Sequence, residues 1–125
     1  MQQQGALAYQ QVAQQTVAPR DLEADLLSRA AGRFQRIKND WDQHGHDLYP
    51  ALMFNRKLWT IFLTSVTDEN CPHEDSLRQN IANLGIFVMN ETRELLENPI
   101  LQKLDTLINI NRQLAAGLRE MPSAE

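Results

Sequence analysis

From Pro19 to Leu118 apolar side chains recur every three or four positions in four windows, each closed by a proline or a polar break. That spacing matches the 3.6-residue turn of an α-helix, and no stretch of useful length alternates as a strand would. Amphipathic helices of this length bury their apolar stripes by packing on one another. The expected fold is therefore all-α: a small helical bundle of about four amphipathic helices forming one domain over residues 19–120. An N-terminal arm, residues 1–18, flexible or docked, precedes it, and a short frayed tail, 121–125, follows. No fixed-period repeat competes, and no heptad runs long enough for a coiled coil.

The first helix is expected to begin at Pro19-Arg20-Asp21, where proline suits a helix start and Asp21 is placed to cap first-turn amides. At 100° per residue, Leu22, Leu26, Leu27, Ala30, Phe34, Ile37 and Trp41 fall within about 140° of arc. Gln43-His44-Gly45-His46 then reads as a loop. A second helix should run from Asp47 to about Val66, with Pro50 tolerated in its first turn. Leu48, Leu52, Trp59, Phe62, Leu63 and Val66 share its core face, and Trp59 is read as core. Phe54, Leu58 and Ile61 widen the apolar arc to about 200°, more than a helix packed on one side needs. Either this helix is central, or those three side chains form an exposed ridge for a partner.

A polar linker, Thr67 to Pro72, leads to a third helix starting near His73 or Glu74, with Leu77, Ile81, Leu84, Phe87, Val88 and Leu95 on its buried side. Asn98-Pro99 ends it. The fourth is expected from Pro99, burying Ile100, Leu104, Leu107, Ile108, Ile110, Leu114, Ala115 and Leu118. The arm has seven glutamines and no charge, with Leu7, Tyr9 and Val12 its main apolar groups.

Chemistry is sparse. There is no Gly-rich phosphate loop, no nucleophile elbow and no His-Glu-x-x-His, so no enzyme activity and no cofactor are expected. His44, His46, Cys71 and His73 have zinc-ligand chemistry, but they flank a helix whose ends lie nearly 30 Å apart at 1.5 Å per residue, so no metal site is expected. The net charge of −4 and scattered basic residues make direct nucleic-acid binding an unfavourable reading. A lone cysteine, a start without a basic, apolar leader and the lack of 18 consecutive apolar residues point to the cytoplasm, away from any membrane.

Two asparagines interrupt the apolar faces. Asn55 sits at the centre of the second helix's stripe and Asn111 at the centre of the fourth's. A buried, unpaired amide costs about 1–3 kcal/mol, so each needs hydrogen-bond partners. Either each ties a loop or the arm to the bundle, or one addresses the backbone of a bound peptide. Arg56 and Arg112 follow them at the stripe's edge, as rim side chains or as a clamp for a partner's carboxylate or carbonyl. The candidate partner-binding set is Phe54, Asn55, Arg56, Leu58, Ile61, Asn111 and Arg112.

The segments around these asparagines carry a resemblance. Asn55-Arg56-Lys57-Leu58-Trp59 resembles the N-R-x-L-W segment of the flagellar biosynthesis regulator FlaF family. Leu77-Arg78 with Ile81, Leu84 and Phe87-Val88 is similar to that family's L-R-x-x-I-x-x-L segment and following aromatic-valine pair. Leu107-Ile108-Asn109-Ile110-Asn111-Arg112 with Gly117-Leu118 resembles its ending, and Tyr9-Gln10-Gln11-Val12 and Pro19-Arg20 its opening. The loop around Cys71-Pro72-His73 departs from the pattern. The resemblance implies a cytoplasmic chaperone or regulator of flagellin synthesis and secretion, with flagellin as partner and the translational regulator FlbT acting alongside. Flagellin's terminal segments are amphipathic and assemble as helices, so a helix-in-groove mode would suit them. The alternative is an RNA-binding post-transcriptional regulator of flagellin message.

Overall fold

The computed structural model describes residues 19–120. Four long helices follow in order: α1 (Pro19–Asn39), α2 (Leu48–Thr67), α3 (Asp75–Glu97) and α4 (Gln102–Glu120). A single helical turn, Trp41–His44, and a 3-10 turn, Gly45–Asp47, join α1 to α2. The all-α bundle of four amphipathic helices is thus the observed fold, with no strand among the described residues. The arm and the 121–125 tail lie outside them.

The helices associate as two antiparallel pairs. α1 packs chiefly on α4, and α2 chiefly on α3. Arg119 to Asp25 at 3.0 Å and Lys38 to Asp105 at 2.6 Å mark the two ends of the first pair. Within the second, Gly85 lets α3 approach α2: a Cβ there would lie 2.5 Å from Leu63 Cδ2 and 2.8 Å from Leu63 Cγ. Arg78 closes the same pair, donating from Nε to the Val66 carbonyl at 2.9 Å. That carbonyl is among the last four of α2, which have no acceptor role left inside the helix. α1 also packs on α2, whereas α3 and α4 touch little although consecutive.

The two pairs enclose one core. Leu27, Phe34 and Ile37 come from α1, Leu52, Trp59 and Phe62 from α2, Val88 and Leu95 from α3, and Leu104 and Leu107 from α4, all buried. Each large apolar side chain so buried contributes about 1.5–3 kcal/mol. Trp59 and Phe62 meet edge to face, with centroids 5.6 Å apart.

Helix ends depart from the sequence reading. Leu22, expected in the core, is 43% exposed, because it lies in the first turn of α1, below the point where α4 covers it. Trp41 is 41% exposed: α1 stops at Asn39, and the Asp40 carboxylate accepts from the Gln43 amide to start a separate turn that re-aims the ring. The indole folds instead over Gly45, where a Cβ would lie 2.9 Å from the ring. α3 begins at Asp75 and α4 at Gln102, so Ile100 stays outside the helix and is 38% exposed. Asp47 precedes α2 as expected but does not cap it with its side chain. Both its carboxylate oxygens accept from Arg33, at 2.7 Å each, tying α1 to the start of α2.

Three expectations follow. Gly32 meets nothing within 4 Å of a built Cβ, so Gly32→Ala should raise stability by about 0.5–1 kcal/mol in urea denaturation. Gly85→Ala should lower it by about 1 kcal/mol, since displacing Leu63 outweighs the gain in helix propensity. The Arg33 hydrogen bonds hold the Asp47 carboxyl below its usual 3.8. The folded state therefore takes up that proton less readily than the unfolded one, so the pair's contribution is whole above about pH 5 and is lost as pH falls below the usual value. Asp47→Asn should destabilise by up to about 1 kcal/mol at pH 7, and the difference from wild type should shrink at pH 2.5.

Candidate functional site

Asn55 and Asn111 bond to one another. Both are fully buried, as is Trp59. The indole Nε1–H of Trp59 donates to Asn111 Oδ1 at 2.9 Å, and Asn111 Nδ2 donates to Asn55 Oδ1 at 2.7 Å. An indole nitrogen only donates, so it dictates the orientation of both amides in turn. Asn111 must present its oxygen to Trp59 and hence its nitrogen to Asn55, which must answer with oxygen. Asn55 Nδ2 is left at the end of this chain as a buried nitrogen with no hydrogen-bond partner. The two asparagines therefore bind α2 to α4 rather than tie down a loop or meet a peptide directly.

The rest of the expected partner-binding set is divided by the structure. Leu58 is buried in the core and Phe54 is half-buried against it. Ile61 is 59% exposed, and Arg56 and Arg112 are exposed. Phe54, Leu58 and Ile61 thus do not form one exposed ridge. The stripe is wide because α2 is flanked by both α1 and α3 and by α4 through Asn111.

The open surface lies elsewhere. Because α3 and α4 diverge, a groove of about 660 Å³ runs between them, with the linker before α3 and Arg20 at one end. Its apolar walls are Leu77, Ile81 and Leu84 from α3 and Ile110, Leu114 and Leu118 from α4. Leu77, Leu84 and Ile110 are only half-buried, although their helical phase matches the core's. Asn80 and Gln113 supply amides along the edges, and Arg20 and Glu74 supply charge at one end. Burial, and then the Arg20 guanidinium, hold His73 below its usual 6.5, so it is neutral in the groove at pH 7.

Gly117 lines the same groove. It lies inside α4, where glycine costs roughly 1 kcal/mol against alanine, yet a Cβ built on it meets nothing within 4 Å. Packing within the described bundle does not require that glycine. Its one structural consequence is a bare stretch of helix backbone in the groove wall. Helical periodicity missed the groove because it assigns direction and not distance; Gly117 beside Ile110 on the apolar side was the available signal.

Among the described residues no three His, Cys, Asp or Glu side chains are grouped to hold a metal. His44 and His46 precede α2, while Cys71 and His73 follow it. Among the described residues no helix is long and apolar enough to cross a membrane.

The family model described as "Flagellar protein FlaF" matches residues 6–118. No curated protein and no solved structure matches the chain.

The amide chain makes a graded prediction. Asn111→Ala removes two buried hydrogen bonds and strands both the Trp59 N–H and Asn55, whereas Asn55→Ala removes one and also removes the unpartnered nitrogen. In urea denaturation Asn111→Ala should cost about 3 kcal/mol or more, and Asn55→Ala at least about 1 kcal/mol less.

Proposed function

The chain belongs to the FlaF family of flagellar proteins, and from that membership we propose that it is a non-catalytic chaperone and regulator that binds flagellin in the cytoplasm. It holds an amphipathic flagellin segment in the groove between α3 and α4, assisting flagellin synthesis and secretion, with FlbT as the companion regulator. The observation that carries this reading is an apolar groove that the described helices line and leave open. Leu77, Leu84 and Ile110 face it half-buried. A helix laid between them would cover these side chains much as a fifth bundle member would, with Asn80 and Gln113 along its polar edges. Gly117 would admit a side chain of that helix close to the α4 backbone. The neutral state of His73 suits an apolar occupant at physiological pH.

Titration of purified monomeric flagellin into the full chain tests the reading. Gly117→Leu fills the groove and Leu77→Gln strips one wall; each should weaken binding at least tenfold. Melting temperature should stay within a few degrees for both, since Gly117→Leu also gains about 0.8 kcal/mol of helix propensity. Ile61→Gln, outside the groove, should leave affinity unchanged. Loss of binding in Ile61→Gln with normal binding by both groove variants would move the interface to the outer face of α2. Affinity should fall little between 50 and 300 mM salt, in contrast to the steep decline expected of a phosphate-binding surface.

A further inference from the structure

Three arginines stand in a row on α1. Arg29, Arg33 and Arg36 occupy positions i, i+4 and i+7, a spacing that sets like charges against one another on one side of a helix. The acids nearest to them are engaged elsewhere. Asp25, one turn before Arg29, bonds Arg119 at 3.0 Å. Asp40, one turn after Arg36, accepts from the Gln43 amide at 3.3 Å. Asp47 gives both carboxylate oxygens to Arg33, so Arg36 meets it only as a through-space charge. Arg29 and Arg36 are exposed and have no hydrogen bond or ion pair among the described residues. The surroundings add no acid. Residues 26–39 of α1 contain Arg29, Arg33, Arg36 and Lys38 but no acidic side chain, and α2 contains Arg56 and Lys57 but none either. In a chain of net charge −4 that is a segregated patch of positive charge.

The basic row continues into an apolar one. Seven residues make close to two helical turns, so Leu26 lies in line with Arg33 on α1, and Phe54 and Ile61 lie in line with Asp47 on α2. The Arg33–Asp47 pair sets these two lines side by side. Because the chain reverses between Asn39 and Leu48, Leu26 and Phe54 stand level, both half-buried against the core. Beyond them Leu22 is 43% exposed and Ile61 is 59% exposed. α1 packs less on α2 than on α4. The seam between α1 and α2 therefore shows apolar side chains in one half and arginines in the other. From Leu22 to Arg36 it runs about 21 Å at 1.5 Å per residue.

That division selects the occupant. Carboxylates make charge-assisted hydrogen bonds to unpaired guanidinium groups, and apolar side chains would cover Leu22 and Ile61. A polyanion such as RNA suits the seam poorly. Asp21 lies at one end of it and Asp40 and Asp42 at the other, so a phosphate backbone running past the arginines meets like charge and leaves the apolar half uncovered. A helix of about four turns, acidic at one end and apolar at the other, spans the seam without either penalty. We propose that the seam between α1 and α2 is a docking surface for such a helix from a partner protein. Its carboxylates meet Arg29 and Arg36, and its apolar side chains lie over Leu22, Leu26, Phe54 and Ile61. The two helices of the seam give the α3–α4 groove none of its apolar walls. The chain thus offers two separate faces, and the seam does not depend on what fills the groove.

The test uses the full chain and a fluorescent synthetic peptide of about 16 residues, with glutamates in its first two turns and leucines on the same face in its last two. Acids at a helix N-terminus also favour the peptide's own helix. Two further probes accompany it: the same peptide with lysine for each glutamate, and a single-stranded RNA carrying as many negative charges as the acidic peptide. By fluorescence anisotropy the acidic peptide should bind at least tenfold more tightly than either. Arg29→Glu with Arg36→Glu should reverse the preference between the peptides, and Arg29→Gln with Arg36→Gln should erase it. Ile61→Gln should weaken the acidic peptide at least threefold, whereas Gly117→Leu in the groove should leave it unchanged. All four positions are exposed, so melting temperatures should stay within a few degrees. Absence of binding, equal binding of the two peptides, or a preference that survives both pairs of arginine substitutions would overturn the proposal. So would tighter binding of the RNA, which would make the basic row a phosphate site. Loss of peptide binding in Gly117→Leu would overturn it too, by placing the peptide in the groove.

Discussion

A buried indole N–H is a donor with no other use, and Trp59 has no water to give it to. Asn111 answers it from α4, and Asn55 on α2 answers Asn111. Because both hydrogen bonds are short and directional, a slip of α4 along α2 by one residue would break both. The register of α4 is thereby fixed against α2 at its centre and against α1 at its ends, through Lys38–Asp105 and Arg119–Asp25. α3 has its own commitments, to α2 through the Gly85–Leu63 approach and the Arg78 cap on the Val66 carbonyl. α3 is thus held chiefly by α2, and α4 chiefly by α1, with α2 fixing its register at the centre. The space between them is a product of those commitments, and the groove follows from the polar chain as much as from any apolar contact.

Much of this architecture was legible in the sequence, and the failures have physical causes. The periodicity located all four helices and the side chains that fill the core, Phe34, Trp59, Val88 and Leu107 among them. It erred at Leu22, Trp41 and Ile100, which share the phase of a stripe but lie where a helix begins, stops or has not started. A helical wheel extends beyond the end of the helix; a real helix does not. The asparagines stood out as interruptions, yet their pairing was unreadable because 56 residues separate them and nothing local specifies a tertiary register. Leu77, Leu84 and Ile110 point toward the core and still fall short of it, because α3 and α4 each pack chiefly on a helix other than the other.

The polar chain has a cost that helps explain its value. An apolar trio of similar volume would avoid the stranded Asn55 nitrogen, a loss of about 1–3 kcal/mol. Apolar side chains alone, however, would let α4 rotate or slide with little penalty, since leucine packs acceptably in several registers. In a bundle with one open side, such sliding would close α4 onto α3 and bury Ile110 and Leu84 at the expense of the groove. Directional hydrogen bonds oppose that collapse. Specificity of arrangement, and not added stability, is the consistent role for two amides in this core.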